Sequence, residues 1–370
     1  MAHAEQATRD GAFTAADFSL AALILLGTRF VQGFIFWGGA SRRLIYDYHD
    51  VAGVDHAVKL DFDVPGYVAA KLTHALPGAL WVQTPIEWTL SHHDLIVTSV
   101  WLWTLAELAV GLGLMFGLAT RLAAFVSIWL NVALMLIFGW MGSTCLDEWT
   151  MAVSGVAMSS AVFLAGSGAY ALDNRFFVQT HADDRRSWVP WITSGPLPAQ
   201  DVRKLAVWLG VGCIAFTVLS YHILFGAVVS PLHSRTNFHR HHVALSAPAV
   251  AADGSVTFDA YVNAGPDTGA AYIVAASLLD GSGQTLAKWD GAALAALPPA
   301  AIRNKYSYAW ASQFRLERIG FSGQTGARAK ITLPPTTLQP ADGPTRILVL
   351  EAIDDSVWRS VAAGGPPSPQ

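Results

Sequence analysis

Long apolar runs alternate with short polar stretches over the first 230 residues of the chain. The runs cover about residues 18–39, 95–118, 122–140, 149–171 and 205–229. A helix needs about 20 predominantly apolar residues to cross the hydrocarbon core of a bilayer, and each run approaches or exceeds that length. The pattern therefore predicts a membrane all-α bundle, with four helices in a domain over residues 1–175 and a fifth transmembrane helix within residues 176–230.

A large polar loop, residues 41–94, separates the first apolar run from the second. Its stretch 67–82 is amphipathic and is interrupted by Pro77 and Gly78, which predicts a pair of surface helices. A structureless loop of roughly fifty residues is uncommon in a compact protein, so we expect this loop to have structure of its own.

The pattern changes to short alternating segments after Pro231. Residues 255–262, 271–279 and 346–352 are typical of strands, and turns rich in Asp, Gly and Pro separate them. Short strands at this spacing predict an all-β sandwich over residues 231–362. Residues 363–370 are predicted to be a disordered tail.

Composition supports the division into a membrane half and a soluble half. The chain is 53% hydrophobic and 14% charged, against about 25% charged in an ordinary soluble domain, and the deficit lies before residue 230. The lipid bilayer is therefore an expected partner. The net charge of −4 argues against nucleic acid as a partner.

The distribution of Arg and Lys among the short loops predicts the orientation. One side collects Arg9, Arg121, Arg175, Arg185, Arg186, Arg203 and Lys204, and the other collects Arg42, Arg43, Lys59 and Lys71. Cytoplasmic loops carry the excess of positive residues. The amino terminus and the linker after residue 175 are thus predicted to be cytoplasmic, and loop 41–94, hairpin 140–149 and the β-domain extracytoplasmic.

The hairpin at residues 140–149 has an unusual composition for a loop between two membrane helices. It contains Cys145 beside Asp147 and Glu148, and Trp140 and Trp149 flank it. A solitary loop cysteine is most often incidental, and the two carboxylates disfavour a thiolate. The positive end of the fourth helix could offset them, so a catalytic role for Cys145 stays open beside the incidental one.

Charged residues inside the first two apolar runs predict a buried ion pair. Arg29 and Glu107 each lie near the middle of a run, and Asn131 lies at similar depth in the third. A lone charge at that depth costs at least about 2.5 to 3.5 kcal/mol, so each is expected to face a partner inside the bundle. An Arg29–Glu107 pair is the natural solution. Such a pair would either fix the register of the two helices or form part of a proton route.

Cationic and aromatic residues cluster near the predicted outer rim. Arg42, Arg43, His49, His92 and His93 would suit an oxyanion such as a sulfonate, although arginines that only meet lipid headgroups are an equal alternative. Trp140 and Trp149 would line a quinone pocket or simply belong to an aromatic belt.

No cofactor motif accompanies these residues. The sequence has no P-loop, G-x-G-x-x-G fingerprint, haem motif or iron–sulfur cysteine set. The histidines at positions 233, 239, 241 and 242 have no carboxylate or cysteine at fixed spacing, so a solvated linker is favoured over a metal site. We therefore expect no metal, flavin or haem, and a redox reaction would need a diffusible carrier such as quinone.

Several motifs resemble a known family. Residues 38–43 (GGASRR), Glu107 with the Gly-Leu-Gly at 111–113, residues 117–121 (GLATR) and residues 144–149 (TCLDEW) resemble the DoxD membrane subunit. Residues 258–267 (FDAYVNAGPD) resemble the DoxA subunit. Together they resemble thiosulfate:quinone oxidoreductase as one fused chain, over about residues 15–360.

The resemblance implies a multi-pass enzyme of the bacterial or archaeal inner membrane that oxidises two thiosulfates to tetrathionate and passes two electrons to a membrane quinone. Our hypothesis assigns catalysis to Cys145, Asp147 and Glu148. It assigns thiosulfate binding to Arg42, Arg43 and His49. It assigns quinone binding and proton relay to His92, His93, Trp140, Trp149, Arg29 and Glu107.

Two other functions stay open at this point. The chain could be a non-enzymatic DoxX-like membrane module that anchors a secreted β-domain, or it could be a transporter of sulfur oxyanions. A homo-oligomer is compatible with the sequence, which does not define the oligomeric state.

Overall fold

A computed structural model of the chain describes residues 15–46, 48–51, 53–141, 147–178, 188–226, 240–309, 312–340 and 343–362. These residues divide into two compact units. The helical unit contains the described residues of 1–60, 97–139 and 146–233, and the β unit contains those of 61–96, 140–145 and 234–370. The predicted tail 363–370, Cys145 and the histidines at 233 and 239 lie outside the described residues.

Ten α-helices occur in the part of the chain that the structure describes. They are α1 (Ala15–Ile24), α2 (Leu26–Ser41), α3 (Ala70–Ala75), α4 (Gln83–Leu90), α5 (His93–Phe116), α6 (Thr120–Phe138), α7 (Asp147–Ala165), α8 (Val189–Ile192), α9 (Ala199–Phe225) and α10 (Gly291–Ala295). A π-helical turn, Arg42–Tyr46, extends α2, and another covers Asn174–Val178. The short strands β1 (Tyr48–Val51) and β2 (Val54–Ala57) pair antiparallel in the helical unit.

The helical unit has the dimensions of a multi-pass membrane bundle. Helices α5, α6, α7 and α9 are each long and apolar enough to cross a bilayer. Helices α1 and α2, which are bent by 53° relative to each other, are apolar enough only as a pair, so the bundle has four spans, or five if this pair counts as one. The prediction of membrane helices is therefore confirmed. The first of them is not the single helix expected over residues 18–39, because the chain turns at Leu25, whose φ and ψ are −89° and 7°. Hydropathy does not register such a local change of dihedral angle.

The corner between α5 and α6 explains one of the sequence motifs. Gly117 has a φ of +65°, a left-handed conformation that suits glycine, and Leu118 N donates to Gly113 O at 2.8 Å to close the end of α5. The buried Asp173 carboxylate then accepts hydrogen bonds from Ala119 N at 2.7 Å and Thr120 N at 2.9 Å. A carboxylate at the first turn of a helix satisfies free N–H groups and complements the helix dipole. Residues 117–121 therefore form a structural corner.

The β unit is a two-sheet sandwich, as the sequence predicts. Its strands are β3 (His242–Val250), β4 (Val256–Ala264), β5 (Ala271–Asp280), β6 (Thr285–Trp289), β7 (Ile302–Asn304), β8 (Phe314–Leu316), β9 (Phe321–Gly323), β10 (Arg328–Leu333), β11 (Arg346–Ala352) and β12 (Val357–Ala362). One sheet has the order β3-β4-β10-β7 and the other β12-β11-β5-β9-β8, with β6 beside β5. Alternate residues such as Phe258, Ile273 and Leu350 bury into one shared core.

Residues 61–96 pack with the sandwich rather than forming exposed surface helices. Helix α3 continues into a 3-10 turn, Leu76–Gly78, whose three residues are buried. The buried Trp140 indole donates from Nε1 to Ala75 O at 2.9 Å, and the Tyr308 hydroxyl donates to Leu90 O at 2.7 Å. The amphipathic pattern correctly indicated helices there, but it did not identify the surface against which they pack.

Candidate functional site

A largely buried ion pair joins α5 to the π-helical end of α2. Arg43 Nη1 donates to Glu107 Oε2, and the two side chains are 16% and 7% exposed. Trp103, one turn before Glu107 on α5, donates from Nε1 to Glu107 Oε1 at 2.6 Å. Both carboxylate oxygens of Glu107 thus have a donor. Such pairing is what an ionised side chain inside a membrane span requires.

Two small residues, Thr104 and Gly39, lie beside the Arg43–Glu107 pair. Thr104 Oγ1 lies 3.4 Å from Arg43 Nη1 and donates to Val100 O at 2.8 Å. A Cβ atom at Gly39 would lie 3.0 Å from Glu107 Oε2, so glycine leaves room for the carboxylate. We call Arg43, Trp103, Thr104 and Glu107 the Glu107 cluster. Thr104 had no signal in the sequence.

The predicted Arg29–Glu107 pair is wrong. Arg29 Nη1 donates to Leu114 O at 3.0 Å and its Nη2 donates to Tyr170 O at 2.9 Å. Helices α2 and α5 run antiparallel, so Arg29 lies beside the last turns of α5 whereas Gly39 lies beside Glu107. Arg29 and Gly39 are ten positions apart, which is about 15 Å along a helix. Free carbonyl groups at the end of α5 provide the partner that Arg29 needs.

A second polar group lies in the bundle interior and contains no formal charge. Gln32 Nε2 donates to Ser127 Oγ at 3.0 Å, and Ser127 Oγ lies 2.7 Å from Ser159 Oγ. Asn131 Nδ2 donates to Ser127 O at 2.8 Å, so the predicted inward-facing role of Asn131 is confirmed. Three helices are joined by these side chains, which the sequence did not reveal because single Ser and Gln residues are common in membrane helices.

Some of the remaining candidate residues belong to the helical unit and others to the β unit. His92 is exposed and lies 2.7 Å from Trp88 O through Nδ1, and the exposed His93 opens α5. Trp149 donates from Nε1 to Ser220 Oγ at 2.9 Å on α9. Asp147 and the half-buried Glu148 are the first residues of α7. The exposed Arg42 is the first residue of the π-helical turn. His49 lies in β1, where its backbone pairs with that of His56. Within the described residues, no group of three or more His, Cys, Asp or Glu side chains could hold a metal ion.

An ion-pair network connects α4 to the sandwich. Glu87 Oε1 accepts hydrogen bonds from Lys305 Nζ at 3.0 Å and from Arg328 Nη1. Burial alone would raise the pKa of the Glu87 carboxyl, but the hydrogen bonds and charges of Lys305 and Arg328 outweigh burial and hold that pKa below its ordinary value. The guanidinium of Arg328 also stacks on the Tyr261 ring at 3.8 Å.

This pKa shift predicts a pH-dependent contribution to stability. The depressed pKa means that the pair stabilises the fold fully above the unfolded value of about 4.3, and that this contribution disappears as pH falls through the lower folded value. We expect Glu87→Gln to lower the free energy of unfolding by at most about 1 kcal/mol at pH 7, because the pair is partly exposed. The difference should shrink at pH 3 in thermal unfolding of the detergent-solubilised protein.

The matched control for this prediction is Asp259→Asn. Asp259 Oδ1 lies 3.8 Å from Lys330 Nζ on the exposed face of the same sandwich. At pH 7, Asp259→Asn should lower the free energy of unfolding by less than Glu87→Gln does. A Glu87→Gln difference that is the same at both pH values would contradict the assigned ionic contribution.

Two protein families match this chain, one in each half. The family described as TQO small subunit DoxD matches residues 25–200, and the family described as TQO small subunit DoxA matches residues 224–360. The chain is a DoxD–DoxA fusion. The DoxD region contains the Glu107 cluster, and the DoxA region contains nearly all of the sandwich. No solved structure matches the fusion.

Both matched families are subunits of thiosulfate:quinone oxidoreductase, and they support a function of that type for the fusion. The β unit takes residues 61–96 from the DoxD region and its strands from the DoxA region. The boundary between the two families in the sequence is therefore not the boundary between the two units of the structure.

Proposed function

We propose that the protein oxidises thiosulfate to tetrathionate at the extracytoplasmic face and reduces a membrane quinone. Two thiosulfate dianions, one quinone and two protons give one tetrathionate dianion and one quinol. The new bond joins two sulfane sulfurs, and the two electrons released reduce the quinone ring. Membership of both subunit families supports this reaction class.

The Glu107 cluster is the observation that carries the proposal. Quinone reduction places negative charge on the ring oxygens and then requires two protons. Arg43 provides a fixed positive charge and Glu107 a carboxylate for proton transfer, and they contact each other inside a membrane-spanning bundle. The half-buried Trp103 holds the carboxylate in place through its indole N–H. Arg43 thereby moves from the thiosulfate site, where the sequence placed it, to the quinone site.

The proposed orientation follows from the number of spans and the distribution of charge. With the bent pair α1–α2 counted as one span, five crossings place the two termini on opposite sides of the membrane. The excess of Arg and Lys then favours a cytoplasmic amino terminus. On this proposal the sandwich faces the extracytoplasmic side, where thiosulfate is available from the medium.

A purified-protein assay tests the proposed reaction. We expect the full chain in detergent to reduce a water-soluble short-chain quinone when thiosulfate is added, and to consume two thiosulfates for each quinol and each tetrathionate formed. Quinone absorbance and ion chromatography measure the three quantities. Sulfate in place of thiosulfate is the control and should give no reduction.

Two results would contradict the proposal. Uptake of labelled thiosulfate into vesicles without quinone reduction would indicate a transporter. Neither uptake nor reduction by a folded preparation would indicate a non-enzymatic membrane anchor for the β-domain.

A further inference from the structure

A small cavity in the β unit is not used by the Glu107 cluster. It has a volume of about 250 Å³. Segment 61–96 contributes Phe62 and His93 to the lining, and the residues just after β7 contribute Lys305, Tyr306, Ser307 and Tyr308. Drug-sized ligands occupy pockets of about 300–1,000 Å³, and one water takes about 30 Å³ of liquid. The cavity therefore suits a small solute with a few waters rather than a quinone with its tail.

An aromatic cluster forms the wall of this cavity. The Tyr308 ring lies 4.8 Å from the Phe62 ring, 5.8 Å from the Tyr306 ring and 5.9 Å from the Tyr67 ring, centroid to centroid. The Phe62 ring also meets the His93 ring edge-on at 4.5 Å. Rings packed in this way hold their hydroxyl groups in fixed positions, so the wall is preorganised for a ligand.

Two phenol hydroxyls in this cluster have no hydrogen-bond partner among the described residues. They belong to Tyr306, which lines the cavity and is 5% exposed, and to Tyr67, which is 1% exposed. A buried polar group without a partner costs about 1–3 kcal/mol, so a small polar solute that accepts a hydrogen bond from such a group gains that free energy. Burial raises the pKa of Tyr67 to about 12.

The charges around the cavity favour an anion. Its lining contains the Lys305 ammonium, the His93 imidazole and several hydroxyl groups, and it contains no carboxylate. Glu87 lies outside the lining and shares its charge between Lys305 and Arg328, so these three groups together keep one positive charge. His93 is also the first residue of α5, whose N-terminal dipole adds a favourable potential.

We propose that this cavity binds thiosulfate as a small oxyanion, with the Tyr306 hydroxyl and Lys305 as its donors. This inference rests on the proposed function for the choice of ligand. It gives the DoxA-like sandwich a role in holding the substrate, shared with a segment of the DoxD region. No bond is made or broken at this site.

Equilibrium binding of labelled thiosulfate to the full chain, without quinone, tests the inference. We expect Tyr306→Phe to weaken binding roughly tenfold, because one hydrogen bond to a charged ligand is lost. Ser307→Trp, at an exposed position, should abolish binding by filling the cavity. Tyr272→Phe is the matched control, since Tyr272 is 43% exposed on β5 and does not line the cavity, and it should bind as the unaltered protein does.

The outcomes separate this inference from the proposed reaction. Unchanged thiosulfate affinity in both Tyr306→Phe and Ser307→Trp overturns the site, even if the protein reduces quinone. Binding that depends on Tyr306, in a protein that reduces no quinone with thiosulfate, supports the site and overturns only the proposed reaction. Displacement of thiosulfate by an equal concentration of sulfate overturns the assignment of thiosulfate as the preferred ligand.

Discussion

Replacing Glu107 with glutamine is expected to lower thiosulfate-dependent quinone reduction by about 10² or more. Glutamine keeps the size of the side chain and can still accept the Trp103 hydrogen bond, but it cannot donate or accept a proton at the carboxylate. General acid–base groups typically contribute 10²- to 10⁴-fold to a rate. Initial rates of quinone absorbance change at saturating thiosulfate measure the effect.

The same substitution also has a cost in stability that must be separated from the catalytic effect. Without the Glu107 carboxylate, the Arg43 charge stays buried with no counter-charge, and breaking a buried pair in this way costs about 3–5 kcal/mol. The double variant Glu107→Gln/Arg43→Gln removes both charges and should recover most of the lost thermal stability. Its rate of quinone reduction should stay as low as that of the single variant.

A matched carboxylate controls for the change in charge. Glu351→Gln alters a half-buried carboxylate on β11, and it should keep both stability and rate close to those of the unaltered protein. Recovery of quinone reduction in the double variant would show that the pair is only structural. The quinone site would then have to be sought elsewhere in the bundle.

Adding a methyl group at Gly33 or Gly111 is expected to disrupt the contact between α2 and α5 on which the Glu107 cluster depends. A Cβ at Gly33 would lie 2.8 Å from Met115 N and 2.9 Å from Gly111 O. A Cβ at Gly111 would lie 2.7 Å from Trp37 N and 3.0 Å from Gly33 O. These neighbours are backbone atoms, so the helices must separate to admit the methyl group.

We expect Gly33→Ala and Gly111→Ala each to destabilise the protein by about 1–3 kcal/mol, as overpacking does in other tightly packed interiors. Separation of the helices also moves Arg43 away from Glu107, so quinone reduction should fall at least tenfold. Thermal unfolding in detergent and initial rates on the same preparations measure the two effects.

Two glycines of the same helix provide controls for this pair of variants. Gly27 and Gly38 also lie on α2, and a Cβ at either would have nothing within 4 Å. Gly27→Ala and Gly38→Ala should therefore leave stability unchanged or slightly raised, since alanine favours a helix more than glycine does. Equal losses in all four variants would mean that the close approach of α2 and α5 is not what supports the cluster.

The sequence predicted where the helices and strands lie better than it predicted which of them pack together. The strand predicted at residues 346–352 coincides with β11, and the strand predicted at 271–279 lacks only the last residue of β5. The helix predicted at 95–118 is displaced from α5 by two residues at each end. Period and hydropathy are local properties, so they survive in any tertiary arrangement that buries the same faces.

The sequence was less informative about the candidate site. Glu107 was correctly identified as a buried group that needs a counter-charge, because a charge in the middle of an apolar run is costly whatever the fold around it. The choice of Arg29 was wrong, since the antiparallel register of α2 against α5 brings Arg43 to Glu107 and Arg29 to the end of α5. The register of α2 against α5 depends on the close contact between Gly33 and Gly111. The pattern of apolar and polar residues contains no information about that contact.

What the sequence determined by itself is therefore the class of the protein, namely a membrane bundle followed by a β-sandwich, and its resemblance to the two oxidoreductase subunits. Hydrophobic length and alternation carry that information because they reflect transfer from water, which acts on each segment separately. The tertiary structure decided which charges meet and that segment 61–96 packs with the sandwich to form the aromatic cavity. Those outcomes depend on contacts between residues far apart in the sequence, 64 positions for Arg43 and Glu107 and 218 for Tyr308 and Leu90, and so on the packing of whole elements.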